Sequence, residues 1–218
     1  MAGLWGLLLA AGHGERLGAG RPKGMLPVGG RPLWRYGYDM LLSAGASGVL
    51  VVYPPDTPWA EDAWGVPGGP SRRESAWRGL LALAQRQPEW VAIHDAARPL
   101  ATAQLTVRVW AAARRWQAAI PALGCDDAAK LVDEQGLVTA TLPRAAVRLV
   151  QTPQVFSWAV IWQSLELAQQ NGWQVADDAE AVQRAGHLVA VVPGEPANRK
   201  LTTPADWEWL QPAPREAG

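Results

Sequence analysis

Residues Ala10 to Lys23, reading AAGHGERLGAGRPK, follow the apolar run Leu4 to Leu9 and combine glycines with cations in a way that suits an anion. Gly12, Gly14, Gly18 and Gly20 let the backbone turn tightly and bring bare N–H groups close to a ligand, which larger residues would obstruct. Arg16 adds a planar fork of donors matched to phosphate oxygens, and Lys23 a compact point charge. One short segment thus offers both kinds of phosphate contact, and a polyphosphate is the ligand it suits. Lys23, Lys130 and Lys200 are the only lysines among twenty cationic residues, so they stand out against an arginine-rich background.

Two familiar phosphate motifs do not fit. The segment lacks the Gly-Lys-Ser/Thr ending of a P-loop, and its glycines run G-x-G-x-x-x-G, one residue longer than the dinucleotide fingerprint. No acidic residue closes a second strand about 20 positions on, where a dinucleotide ribose would need one.

The elements that must position this loop are legible as short apolar runs without alternation, at Leu4 to Leu9, Gly48 to Tyr53, Trp90 to Ile93, Ala118 to Pro121 and Leu188 to Val192. Such runs are expected of strands buried on both faces. Helical stretches lie between most of them. Pro32 to Ala44 carries proline at its first turn and stops at Gly45, and Ser71 to Ala84 opens on the capping box Ser71-Arg72-Arg73-Glu74. The alternation predicts an α/β fold with a parallel, three-layer sheet and right-handed crossovers, its ligand beyond the carboxyl ends of the strands. Residues 126–150 break the pattern: KLVDEQGLVTATL reads as two strands around Glu134-Gln135-Gly136, followed by Pro143 and Arg144, and predicts a projecting β-arm over about residues 124–150.

At 218 residues and 49% hydrophobic content, the chain can bury a substantial core. Its formal net charge is zero, so no long-range field favours nucleic acid or an anionic membrane. A single cysteine, Cys125, allows no internal disulfide and no structural zinc site. The apolar N-terminal stretch lacks a basic n-region and falls short of the ~20 apolar residues of a membrane helix, so a buried first strand and a cytoplasmic location are expected. The thirteen tryptophans, Trp110 and Trp116 among them, read as packing rather than as stacking platforms.

The glycine loop with Gly29 and Pro32 resembles the signature of nucleotidyltransferases that join a nucleoside triphosphate to a sugar or polyol phosphate. With His94-Asp95-Ala96-Ala97-Arg98-Pro99, Thr152-Pro153-Gln154, the acidic pair Asp177-Asp178 and Asn198-Arg199-Lys200-Leu201-Thr202, the chain to Leu210 resembles the 2-C-methyl-D-erythritol 4-phosphate cytidylyltransferases of the non-mevalonate isoprenoid pathway. The resemblance implies a three-layer, Rossmann-like nucleotidyltransferase sheet over residues 1–210, whose β-arm forms a homodimer; the Pro- and Gly-bearing composition of 211–218 predicts a disordered tail. It implies nucleotide contacts from Ala10, Ala11, Gly12, Gly14, Gly69, Arg72, Ser75 and Asp95, and triphosphate contacts from Arg16 and Lys23. Arg98 and Asp177 would meet the acceptor, with Arg144 from the arm and Lys200 holding its phosphate. The substrates would be CTP and a polyol phosphate, with Mg2+ as cofactor and Asp95 its ligand or neighbour. His94 reads as a satisfied strand-end histidine rather than a catalytic one.

Pro70, Ala128 and Ala176 depart from that family's pattern, the first standing where an acidic residue is common and the others where threonine hydroxyls are. One missing neutral hydrogen bond is worth about 0.5 to 1.5 kcal/mol, too little to abolish acceptor binding but enough to shift preference. Two alternatives stay open: a cytidylyltransferase for another phosphate acceptor, such as ribitol 5-phosphate or molybdopterin, and a silent nucleotide-binding module.

Overall fold

The computed structural model describes residues 3–12, 22–59 and 62–210. The glycine-rich stretch 13–21, with Gly14 and Arg16, and the tail 211–218 lie outside the described residues. In chain order the elements are β1 (Leu4–Leu9), the short ladder β2 (Pro27–Val28) and β3 (Arg31–Pro32), α1 (Leu33–Ser43), β4 (Val49–Tyr53), β5 (Gly65–Pro67), α2 (Arg72–Leu83), β6 (Trp90–Asp95), α3 (Ala103–Trp116), β7 (Ala118–Gly124), β8 (Lys130–Val132), β9 (Val138–Thr141), β10 (Arg148–Val150), β11 (Gln154–Ser157), α4 (Trp158–Gln170), α5 (Asp178–Arg184), β12 (Ala190–Pro193) and α6 (Pro204–Leu210).

The main sheet runs β5-β4-β1-β6-β11-β7, with β1, β4, β5 and β6 parallel. Side chains alternate across it. Leu7, Leu9, Leu50, Val52, Val91 and Ile93 pack under α2, α4 and α5, while Leu8, Val49, Val51 and Ala92 pack under α1 and α3. Both faces are covered, which is why the strand sequences are continuously apolar.

The sheet is mixed, not all parallel. β11 runs antiparallel to both β6 and β7, and β10 antiparallel to the far end of β7. β10 and β11 lie along one edge of β7 and β12 along the other, since Ala119 and Ala122 each pair on both sides. The arm explains the reversal: a chain that leaves β7 and returns without a crossover helix comes back along the strand it left.

β8 and β9 form their own antiparallel pair, bonded to no strand of the main sheet. Every residue of the pair is exposed, Leu131 and Val138 among them. Trp34 is buried under the sheet and Trp110 half-buried against the same core, but Trp116 is 45% exposed at the end of α3, where Arg115 covers its ring. No helix among the described residues is long and apolar enough to cross a membrane.

Candidate active site

β1 and β6 are neighbours in parallel register, with Leu9 opposite Asp95, so their carboxyl ends finish side by side. A cavity of about 360 Å³ opens there. Ala10, Ala11 and Gly12 form one wall where the chain leaves β1, and Asp95 to Ala97 another where it leaves β6. Gly69, Arg72 and Ser75 close a third side from the start of α2, and Lys23 and Lys200 complete it.

Local contacts hold these walls together. Lys23 opens a single 3-10 turn, Lys23–Met25, and its N–H donates to Gly12 O at 3.3 Å. Its Nζ donates to Leu201 O at 2.5 Å, which ties the early loop to the late Asn198 to Thr202 segment. Ser71 caps α2 by accepting from Glu74 N, as its sequence position requires. Ser75 Oγ accepts from Gly69 N at 3.1 Å and can donate to Gly69 O at 3.3 Å, a clasp that sets the loop before the helix. At Gly68 a Cβ would sit 2.4 Å from Ala11 Cβ and 2.9 Å from Ser75 Oγ, so only glycine lets this loop touch the first wall.

The charges of the cavity form one chain. Asp95 Oδ2 accepts from Lys200 Nζ at 2.6 Å and Oδ1 from Arg72 Nε at 3.0 Å, while Arg72 Nη2 donates to Asp178 Oδ2 at 2.8 Å. Burial alone would raise the Asp95 carboxyl, but Arg72 and Lys200 outweigh it and hold the group well below the usual carboxylate range. Burial also works against the Arg72 guanidinium, and Asp178 and Asp95 overcome it and lock the charge on. Burial pushes Asp178 up, with Arg72 opposing. Two cations and two carboxylates thus neutralise each other inside a largely desolvated wall.

Behind this wall His94 is fully buried, and desolvation lowers its pKa to about 4. Nε2 faces Arg98 O at 3.1 Å, which can only accept, so Nε2 carries the proton. Nδ1 then accepts from Thr152 Oγ1 at 2.8 Å, and Thr152 Oγ1 accepts in turn from Asp95 N at 3.1 Å. A satisfied, neutral histidine supporting the β6 terminus is the result.

Of the residues singled out in the sequence, Ala10, Ala11, Gly12, Lys23, Gly69, Arg72, Ser75, Asp95 and Lys200 share the cavity. Three do not. Arg98 sits across a tight turn from Asp95, its N–H on Asp95 O, and its guanidinium donates to Asn198 O and Val150 O at 2.7 and 3.2 Å. Asp177 is the N-cap of α5: Oδ1 accepts from Glu180 N and Oδ2 from Gln154 Nε2. Arg144 stands in the arm, donates to Asp126 O at 2.9 Å, and lines a separate open cavity with Arg148. Within one chain, Lys23 and Lys200 converge on a common space and Arg144 does not. Sequence reasoning missed Asp178 as the partner of Arg72; the Asp177-x-x-Glu180 spacing, a cap signature, would have released its neighbour for another role.

Among the described residues no three His, Cys, Asp or Glu side chains gather to hold a metal. Asp95 is, among the described residues, the one carboxylate that lines the cavity. A single carboxylate beside a phosphate ligand is enough for Mg2+, which keeps several waters, so the donor set fits that ion.

Comparison with known proteins agrees with this architecture. The profile of the family IspD, 2-C-methyl-D-erythritol 4-phosphate cytidylyltransferase, matches residues 5–211. The cytidylyltransferase of that name from Prochlorococcus marinus is 40% identical over 92% of this chain and 93% of its own length. The bifunctional enzyme IspD/IspF of Rhodopseudomonas palustris is 38% identical over 92% of this chain, which spans 53% of that longer protein. The crystal structure of the Thermus thermophilus cytidylyltransferase superposes with a TM-score of 0.81 at 34% identity, covering 94% of this chain and 96% of that one. This chain belongs to the 2-C-methyl-D-erythritol 4-phosphate cytidylyltransferase family.

Proposed function

We propose that this chain transfers the cytidylyl group of CTP to 2-C-methyl-D-erythritol 4-phosphate, releasing pyrophosphate and 4-diphosphocytidyl-2-C-methyl-D-erythritol. The observation that carries the reading is the shared cavity: Lys23, Lys200 and Arg72 converge at the carboxyl ends of β1 and β6, in a chain of this family. A phosphate monoester oxygen of the acceptor attacks the α-phosphorus in line while pyrophosphate leaves. No protein nucleophile is required, so catalysis rests on positioning and on neutralising the oxygens that gain charge.

Ala10 to Gly12 and the Gly69–Ser75 clasp form the nucleotide wall, with backbone polar groups for the base and ribose. Lys23, with Arg16 of the glycine-rich sequence before it, stabilises the triphosphate and the leaving pyrophosphate. Lys200 is held by Asp95 until a phosphate offers it a stronger partner, and then meets the attacking or α-phosphate oxygens. Asp95 would hold Mg2+, which when bound neutralises phosphate charge.

The homodimer forms through the exposed arm, and Arg144 reaches acceptor phosphate in the cavity of the partner subunit. The cytosol is the compartment proposed. The deciding experiment is a pyrophosphate-release assay with magnesium, CTP and a panel of polyol phosphates. Turnover with 2-C-methyl-D-erythritol 4-phosphate, and poor turnover when ATP, GTP or UTP replaces CTP, is expected; tight CTP binding without turnover on any acceptor would overturn the reading.

A further inference from the structure

Asp178 is 1% exposed and does not line the cavity, yet it is one bond removed from it through Arg72. A single guanidinium spans two carboxylates, Nε on Asp95 and Nη2 on Asp178, while Nη1 has no acceptor among the described residues. Asp178 itself is held on both sides. Gln154, fully buried, donates through Nε2 to Asp177 Oδ2 at 2.9 Å and accepts at Oε1 from Ala179 N at 3.2 Å. The side-chain amide therefore grips the residue before Asp178 and the residue after it.

We propose that Asp178, bracketed by Gln154, is a positioning residue for the transfer: it fixes Arg72 so that the guanidinium orients Asp95 and turns its remaining donors to the nucleotide. The proposal rests on the cytidylyl-transfer reading above. The physical reason is competition for direction. With Asp95 as its only anion, Arg72 would be free to form a two-pronged pair with that carboxylate, the geometry a guanidinium prefers, and to displace Lys200. A second carboxylate at the neighbouring donor prevents this, and leaves Asp95 shared between Arg72 and Lys200. Gln154 makes the second carboxylate immobile, and gives the Thr152-Pro153-Gln154 segment a role at a distance from the substrate.

Asp178→Asn keeps volume and an acceptor oxygen but removes the charge. In its crystal structure Arg72 is expected to move onto both oxygens of Asp95, with Lys200 released. Its kcat is expected to fall by about tenfold to a hundredfold, the loss typical of a misplaced contact, with the KM for CTP little changed. In a double-mutant cycle, Asp178→Asn added to Arg72→Gln should cost almost nothing further, because both act through one group. An unmoved Arg72 in the variant structure, or losses that simply add, overturns the proposal. If Asp178→Asn does not fold, Asp178→Glu, which carries the charge one methylene further, is expected to lower kcat at least about fivefold by the same displacement, and wild-type turnover in that variant overturns it. Wild-type protein inactive on every acceptor would strike the transfer reading alone, since the position of Arg72 in the variant structure then decides this one.

Discussion

Lys200 Nζ lies 2.6 Å from Asp95 Oδ2, so two residues 105 positions apart in the chain meet as an ion pair at the mouth of the cavity. The lysine is 39% exposed and the carboxylate 10%, so solvent and ligand reach the cation more easily than its partner. Lys200→Met should leave the melting temperature within a few degrees of wild type and lower kcat by about two to three orders of magnitude, the usual loss for one preorganised charge stabiliser. Steady-state kinetics beside a thermal melt check both halves of that expectation.

Lys23 carries a second, separable prediction. Its Nζ holds Leu201 O, so it serves both as cation and as a tie between two walls. Lys23→Arg keeps the charge but swaps a point donor for a fork, and should restore less than a tenth of the activity lost in Lys23→Ala, itself down by about two to three orders of magnitude. Full rescue by arginine would reduce Lys23 to a generic charge.

Much of this site was legible because its residues sit where chain-local signals are strong. LWGLLL is an unbroken apolar run that ends at a glycine-rich sequence, and Ser71 followed by Glu74 announces the start of α2, which places Arg72 and Ser75 at the cavity. β11 was not legible: four residues behind Pro153 have no period of their own, and their antiparallel pairing is decided by where the arm returns the chain. The placement of Arg98, a residue the sequence did single out, was hidden for a similar reason. Three residues from Asp95, it is carried by the turn after β6 towards Asn198, and only the turn geometry reveals this.

The Gly68 contact with Ala11 predicts a steric lesion with a kinetic signature. Gly68→Ala would push Cβ into Ala11 and the Ser75 hydroxyl, so the loop must move away from the first wall. Overpacking of this kind costs about 1 to 3 kcal/mol, and here it should also raise the KM for CTP, whereas Ser75→Ala should cost about 1 kcal/mol. Urea unfolding and CTP titration of the two variants distinguish clash from lost hydrogen bond.

Exposed Leu131 and Leu137 flank the turn of the arm and belong to neither buried core. Converting both to glutamate should therefore leave the core transition intact while abolishing the proposed dimer, seen as a halved mass in sedimentation. If Arg144 serves the cavity of the partner subunit, the same variant loses turnover with it. An undiminished mass would place the subunit contact elsewhere.

The buried histidine gives a pH prediction whose sign follows from its surroundings. In the unfolded chain an imidazole titrates near 6.5, whereas burial lowers His94 in the fold to about 4 against a partial counter-pull from Asp95. Between those values the unfolded state binds a proton that the native state refuses, so stability falls as the solution is acidified. From pH 7 to pH 5 the loss assigned to this one group is about 2 kcal/mol. Asp178, raised by burial, acts in the opposite sense, so the comparison must hold it fixed. His94→Gln keeps a donor for Arg98 O and an acceptor for Thr152 but cannot titrate. Its urea midpoint should be lower than that of the wild type at pH 7 yet nearly flat down to pH 5, and a variant that loses stability as steeply as the wild type over that range would assign the acid sensitivity to other groups.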